Sequence, residues 1–132
     1  MRMLLSAIVV AAAAAALAAP TPAQEAAMPT VEITLSNFKF TPKTLSLHHG
    51  QAYRLHFVND SSSGHDFDAP EFFADADIDP ADAAAIHEGK VEVGKGQSRD
   101  VRLTPRKAGT YEVKCTHVMH ATLGMRGDIT VD

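Results

Sequence analysis

Apolar and polar residues alternate with period two through much of the chain beyond residue 30. Val31, Ile33 and Leu35 interleave with Glu32 and Thr34, and Phe38-Lys-Phe40 continues the pattern until Thr41-Pro42 breaks it. Alternation of this kind predicts a strand with one face in a core and the other in solvent. Leu45–Leu47, Tyr53–Phe57, Val91–Val93, Val101–Leu103, Thr110–Cys115 and Asp128–Val131 repeat it. Turn-forming clusters separate these segments: His48-His49-Gly50-Gln51, Asn59–Gly64, Gly94-Lys-Gly96 and Thr104-Pro105. The stretch Asp79–Gly89 departs from the pattern, with Asp79 as a cap, Pro80 at the first helical position and Gly89 beyond the end. Those signals predict about two turns of helix over 79–88. About seven short strands with one short helical insertion predict an all-β, antiparallel β-sandwich.

The N-terminus obeys a different rule. Arg2 is followed by an apolar, alanine-rich run from Met3 to Ala19 and then Pro20-Thr-Pro-Ala-Gln24. A basic start, a short apolar core and small residues at a break are the pattern of a secretory signal peptide. Residues 1–23 are therefore expected to be removed, with cleavage after Ala23 or alternatively after Ala18 or Ala19. Residues 24–30 read as a flexible lead-in, and 31–132 as the domain. This places the mature protein in the periplasm or otherwise outside the cytoplasm, with no membrane insertion. Roughly 110 residues suffice for one domain with one modest core and not for two. The net charge of −4 and the lack of a Lys/Arg cluster argue against nucleic acid or an anionic membrane as partner.

A single cysteine, Cys115, changes the picture. Exported domains of this size often rely on disulfides, which need cysteines in pairs. A lone thiol in an oxidising compartment must be buried, paired between chains or bound to metal. Cys115 stands in Cys115-Thr-His-Val-Met-His120-Ala-Thr-Leu-Gly-Met125, which offers a thiolate, an imidazole and a thioether from one loop. Two imidazoles and a thiolate with a weak axial thioether are the ligands of mononuclear copper electron-transfer sites. Cys115 ends a predicted strand, and Gly124 and Gly127 would allow the backbone to curl around one ion. His65, after the Asn59–Gly64 loop, is the best candidate for the remaining imidazole. As a ligand from a separate strand it would also tie the two sheets together. The alternative is a buried core thiol with His120 and Met125 as incidental loop residues.

Gly109-Thr-Tyr-Glu-Val-Lys-Cys115 through His120, Gly124, Met125 and Gly127 resembles the C-terminal copper loop of the cupredoxin family, the blue copper proteins. His65 matches that family's upstream histidine. The resemblance spans roughly residues 31–132, and its last third is the specific part. It implies a Greek-key β-sandwich and one type-1 copper ion on His65, Cys115, His120 and Met125, cycling between Cu(I) and Cu(II). It also implies that Asp66 and Thr116, each beside a ligand, hydrogen-bond across the site and orient it. The chain departs from familiar members in the acidic insertion Pro70–Gly89 and in His117, which stands two residues after the thiolate and could compete with His120.

The remaining features sort into surface and shell. Seven acids and no base lie between Asp66 and Asp82, a solvated face or a docking surface for a basic partner. Asp75-x-Asp77-x-Asp79 begins like a calcium loop, but Pro80 and Ile86 occupy the positions that need glycine and a bidentate glutamate. His48, His49 and His56 read as surface residues, and His87 as a cation near a helix C-terminus. Phe67, Phe72, Phe73, Val118, Met119 and Leu123 would form an apolar shell that keeps water from the ion. Cys115 beside a histidine could form a nucleophilic pair, but no oxyanion motif or third orienting group accompanies it, so an enzyme is not expected. The leading expectation is a monomeric electron carrier meeting a redox partner protein transiently. The alternative is copper handling, by sequestration or delivery, with the same ligands.

Overall fold

The structure, a computed structural model, describes Ala16 and residues 18–132, so most of the expected signal segment lies outside the described residues. Residues Pro22–Ala27 form a short helix, α1, within the stretch that includes the expected lead-in. Ten strands follow. They are β1 Thr30–Ser36, β2 Lys39–Thr41, β3 Thr44–Leu47, β4 Tyr53–Asn59, β5 His65–Asp68, β6 Ala76–Ile78, β7 Lys90–Val93, β8 Ser98–Pro105, β9 Gly109–Lys114 and β10 Arg126–Val131. A second helix, α2 (Pro70–Ala74), joins β5 to β6.

Two five-stranded sheets face each other, in the orders β2-β1-β4-β8-β6 and β3-β10-β9-β5-β7. Most neighbours are antiparallel, as the pattern predicts. β1 with β4 and β3 with β10 instead run parallel. Parallel pairing requires a crossover, and alternation alone cannot signal it. The sandwich is that of the expected fold class.

Period-two burial explains why these segments are strands. In β4, Tyr53, Leu55 and Phe57 are buried while Arg54, His56 and Val58 are only partly covered. Facing them across the core are Val91, Val93, Val113 and Ile129 from the other sheet. Each such side chain contributes about 1.5–3 kcal/mol relative to exposure. Tyr111 is buried in β9, and its hydroxyl donates to the Lys107 carbonyl at 2.8 Å and to Asp75 Oδ2 at 3.1 Å. This pins the turn before β9 and steadies the strand that carries Cys115.

The insertion is less helical than its end signals suggest. Within 79–88 only Ala83–Ala85 forms a 3₁₀ turn. Asp79 makes the expected cap, its Oδ1 accepting from Ala81 N at 2.9 Å. The chain does not continue as helix, and Asp82 Oδ2 instead accepts from Arg102 N at 2.9 Å and Arg102 Nε at 2.8 Å in the neighbouring strand. Ile86 then turns extended, and His87 bridges to Lys90. The acidic run is largely neutralised within the molecule, with Asp77 on Arg106, Asp75 near Lys107, and Asp79 and Asp82 on Arg102. His48 and His56 lie at the surface beside Asp132 and Asp100. Among the described residues no helix is long and apolar enough to cross a membrane.

Candidate metal centre

The second sheet carries all the candidate donors. His65 opens β5, in register with Val93 of β7, and is 1% exposed. Cys115 immediately follows β9, and Met125 immediately precedes β10. Both are buried. Because β9 and β10 pair antiparallel, the loop between them returns to its own base. The Cys115 amide donates to the Met125 carbonyl at 3.1 Å, and the Met125 amide to the His120 carbonyl at 2.9 Å. Turns within the loop are closed by His120 N to His117 O at 3.1 Å and Leu123 N to Met119 O at 2.9 Å.

These bonds bring three donors to one point. The Nδ1 atoms of His65 and His120 are 3.1 Å apart, and Cys115 Sγ lies 3.9 and 3.3 Å from them respectively. A single ion with bonds of about 2.0 Å to nitrogen and 2.3 Å to sulfur would separate its nitrogens by roughly 3.3–3.6 Å, and nitrogen from sulfur by roughly 3.5–3.8 Å. The cluster matches that spacing to a few tenths of an ångström. Among the described residues the buried His65 Nε2 has no hydrogen-bond partner, so the ring's hydrogen-bonding contacts run through Nδ1 into the cluster. Burial, then the charges of His120 and His117, hold the His65 imidazole below its ordinary pKa, which favours the neutral ring whose lone pair a metal needs. Burial likewise pushes the Cys115 thiol up. A cation at the centre would reverse that, since a coordinating thiol is deprotonated.

Asp66 braces the site. It is 1% exposed, and its Oδ1 accepts from the Thr116 amide at 2.7 Å while Oδ2 accepts from the Thr116 hydroxyl. The residues beside the two candidate ligands thus bond to each other, as the resemblance implies. Gly124 has φ +106, a value that suits glycine, and serves the curl as expected. Gly127 serves another purpose, because a Cβ there would sit 2.4 Å from the Lys43 carbonyl oxygen. Its need is for close approach of β10 to the start of β3.

Two expectations change. His65 does not tie the two sheets together, because β5 and β9 belong to the same sheet. Phe67, Phe72 and Phe73 are core residues, but Val118, Met119 and Leu123 are 88%, 60% and 55% exposed and form no water-excluding shell. His117 turns its Nε2 to Glu92 Oε1 at 2.8 Å and stacks on His120, with ring centroids 5.4 Å apart. It also shares a second, overlapping cluster with Asp66 and Cys115. Two neighbours escaped the sequence reading. Glu92 gave no signal beyond an outward strand position. Phe38 reads as strand, although Asn37-Phe38 lies between the paired residues Ser36 and Lys39 and forms the β1–β2 turn.

A β-sandwich presenting two imidazoles and a thiol at one point, with a buried methionine at the foot of the same loop, defines a mononuclear type-1 copper protein, and copper is its cofactor. The cupredoxin-like domain model matches residues 7–131, and the chain belongs to that family. Among solved structures, dithionite-reduced auracyanin from Roseiflexus castenholzii superposes with a TM-score of 0.59 at 24% identity, covering 78% of this chain and 96% of its own. Auracyanin B gives 0.59 at 25% identity, covering 87% and 93%. A reduced amicyanin variant gives 0.50 at 21% identity, covering 78% and 82%. No curated protein sequence matches the chain.

Proposed function

We propose that this protein carries single electrons outside the cytoplasm, cycling one copper ion between Cu(I) and Cu(II) on His65, Cys115, His120 and Met125. The observation that carries the reading is the convergence of His65 Nδ1, His120 Nδ1 and Cys115 Sγ without any rearrangement of the chain. Donors fixed at strand ends and by loop hydrogen bonds change little between oxidation states, which favours fast electron transfer over release of the ion. Burial of Cys115, His65 and Met125 supports the same reading. Catalysis by the thiol is disfavoured, because a nucleophilic cysteine needs a depressed pKa and burial raises this one. His120 is only partly buried, and exposed Phe38, Val118, Met119 and Leu123 lie near it in space or sequence. An apolar surface of that kind suits a small, transient interface with a redox partner. The extracytoplasmic assignment rests on the apolar run Met3–Ala19.

Titration of the purified protein with Cu(II) tests the proposal. An intense thiolate-to-copper band should saturate at one ion per chain and vanish in Cys115→Ser. Voltammetry of the loaded protein should then show a reversible one-electron wave. Absence of the band in the wild type would remove Cys115 from the site and the electron-transfer reading with it. A band accompanied by rapid loss of Cu(I) to a chelator would point instead to copper handling.

A further inference from the structure

Three non-glycine residues among those described have a left-handed backbone: Phe38 (φ 59), Glu88 (φ 51) and Met119 (φ 67). Phe38 is the one that calls for explanation. A bulky aromatic at positive φ is a genuine outlier, and a two-residue turn offers that position to glycine or asparagine. Asn37 is adjacent, so exchanging the two residues would place the tolerant side chain where the strain falls. Phe38 is also 40% exposed, so core packing does not account for it. Strained conformations persist where the surroundings over-determine them, and they gather at functional sites.

The Phe38 ring meets His120. Their centroids are 5.2 Å apart and the planes stand at 86°, an edge-to-face contact between residues far apart in sequence. The turn's backbone also rests on the copper loop, since a Cβ on Gly124 would lie 3.8 Å from the Phe38 carbonyl oxygen. The candidate donors all hang from the second sheet, whereas Phe38 belongs to the β1–β2 hairpin of the first. His120 lacks the strand support that holds His65 and Cys115, and it lies in a loop beside exposed Val118 and Met119. Its Nδ1 edge meets His65 and Cys115, and the rest of its ring is held by Phe38 edge-to-face and by His117 stacked at 20° with its far nitrogen on Glu92.

We propose that Phe38 is a positioning residue for His120, and that its left-handed turn is retained because it brings one sheet's aromatic ring against the imidazole carried by the other. The inference rests on the copper reading for its consequence and on the apoprotein geometry for its substance. An edge-to-face contact fixes the tilt of the imidazole and limits its rotation about χ1 and χ2, which keeps Nδ1 directed at Cys115. Loss of an edge-to-face ring contact should change metal affinity by up to about tenfold.

The test compares Phe38→Asn, which suits the turn but lacks the ring, with Phe38→Leu, which keeps apolar bulk, and Phe38→Tyr, which restores the ring. In the apoprotein, NMR relaxation of the His120 ring should show one ordered rotamer in wild type and Phe38→Tyr, and averaging in Phe38→Asn and Phe38→Leu. In the copper-loaded protein, Cu(I) should pass to a chelator up to about tenfold faster from Phe38→Asn and Phe38→Leu. Their Cu(II) paramagnetic resonance spectra should split into two forms. An ordered His120 and unchanged release in both variants would overturn the proposal while leaving the copper site intact. A wild type that gives no copper signal would overturn the electron-carrier reading, and the apoprotein relaxation would still decide whether Phe38 positions His120.

Discussion

Truncation of Asp66 puts a number on the clamp between the two strands that carry His65 and Cys115. Asp66→Ala removes two charge-assisted bonds to Thr116, one to its amide at 2.7 Å and one to its hydroxyl. Bonds to a charged acceptor are each worth about 1.5–3 kcal/mol. Thr116 is exposed, so its freed groups recover bonds to water. The carboxylate also no longer has to be taken out of water, which offsets part of the loss. The net cost is therefore nearer 1–2 kcal/mol, a fall in apoprotein melting temperature of roughly 4–16 °C for a domain of this size. The effect on copper is separate from the effect on folding. Asp66 and Thr116 each adjoin a candidate ligand, and their bond fixes the 3.9 Å between His65 Nδ1 and Cys115 Sγ. Loss of such a brace should weaken Cu(I) binding by about 10–100-fold, or about 1.4–2.7 kcal/mol. Competition against a Cu(I) chelator of known affinity measures it, with thermal unfolding of the apoprotein run in parallel. Asp66→Asn keeps the Oδ1 acceptor for the Thr116 amide but puts a donor where the Thr116 hydroxyl donates, so it should fall between wild type and Asp66→Ala in both assays. If Asp66→Ala melts earlier yet competes for copper as well as wild type, the bond is structural only and the clamp argument is wrong.

Two further substitutions probe the frame around the site. Gly127→Ala drives a methyl into the Lys43 carbonyl oxygen at 2.4 Å, the same oxygen that accepts from Asp128 N at 3.1 Å. It should cost about 1–3 kcal/mol, read as a lower urea midpoint, and an unchanged midpoint would mean that β3 and β10 are not so tightly apposed. Asp82 supplies the pH dependence. Burial raises its pKa, but hydrogen bonds and the charge of Arg102 outweigh that and hold it below the ordinary carboxylate range. The folded state thus binds this proton more weakly than the unfolded state. The pair's stabilisation is complete above about pH 4–5 and is lost as the pH falls further. Asp82→Asn should lower the apoprotein melting temperature at pH 7 and lower it by less at pH 3, the deficit shrinking as the pH falls; an equal deficit at both values would show that the charge is irrelevant.

The metal centre was more legible in the sequence than the fold that supports it, for a physical reason. Cys115, His120 and Met125 come from one loop whose ends pair as neighbouring strands, so their chemistry and proximity are both local facts. His65 was legible as chemistry, but its partnership depends on β5 lying beside β9, a pairing that joins Asp68 to Lys114 across the fold. Period-two alternation located most of the strands and the inward residues. It could not reveal that β1 runs parallel to β4, nor that the strand of His65 and the strands flanking the Cys115–Met125 loop belong to one sheet. The insertion misled because its cap forms, Asp79 to Ala81, yet Asp82 turns its carboxylate to Arg102 of β8 and Ile86 goes extended after a single 3₁₀ turn. Phe38 was hidden most completely, because a phenylalanine in a left-handed turn contradicts every local preference and is intelligible only beside His120. Where a local rule fails in a chain that otherwise obeys it, the failure directs attention to function. Here it falls on the imidazole with the least backbone support.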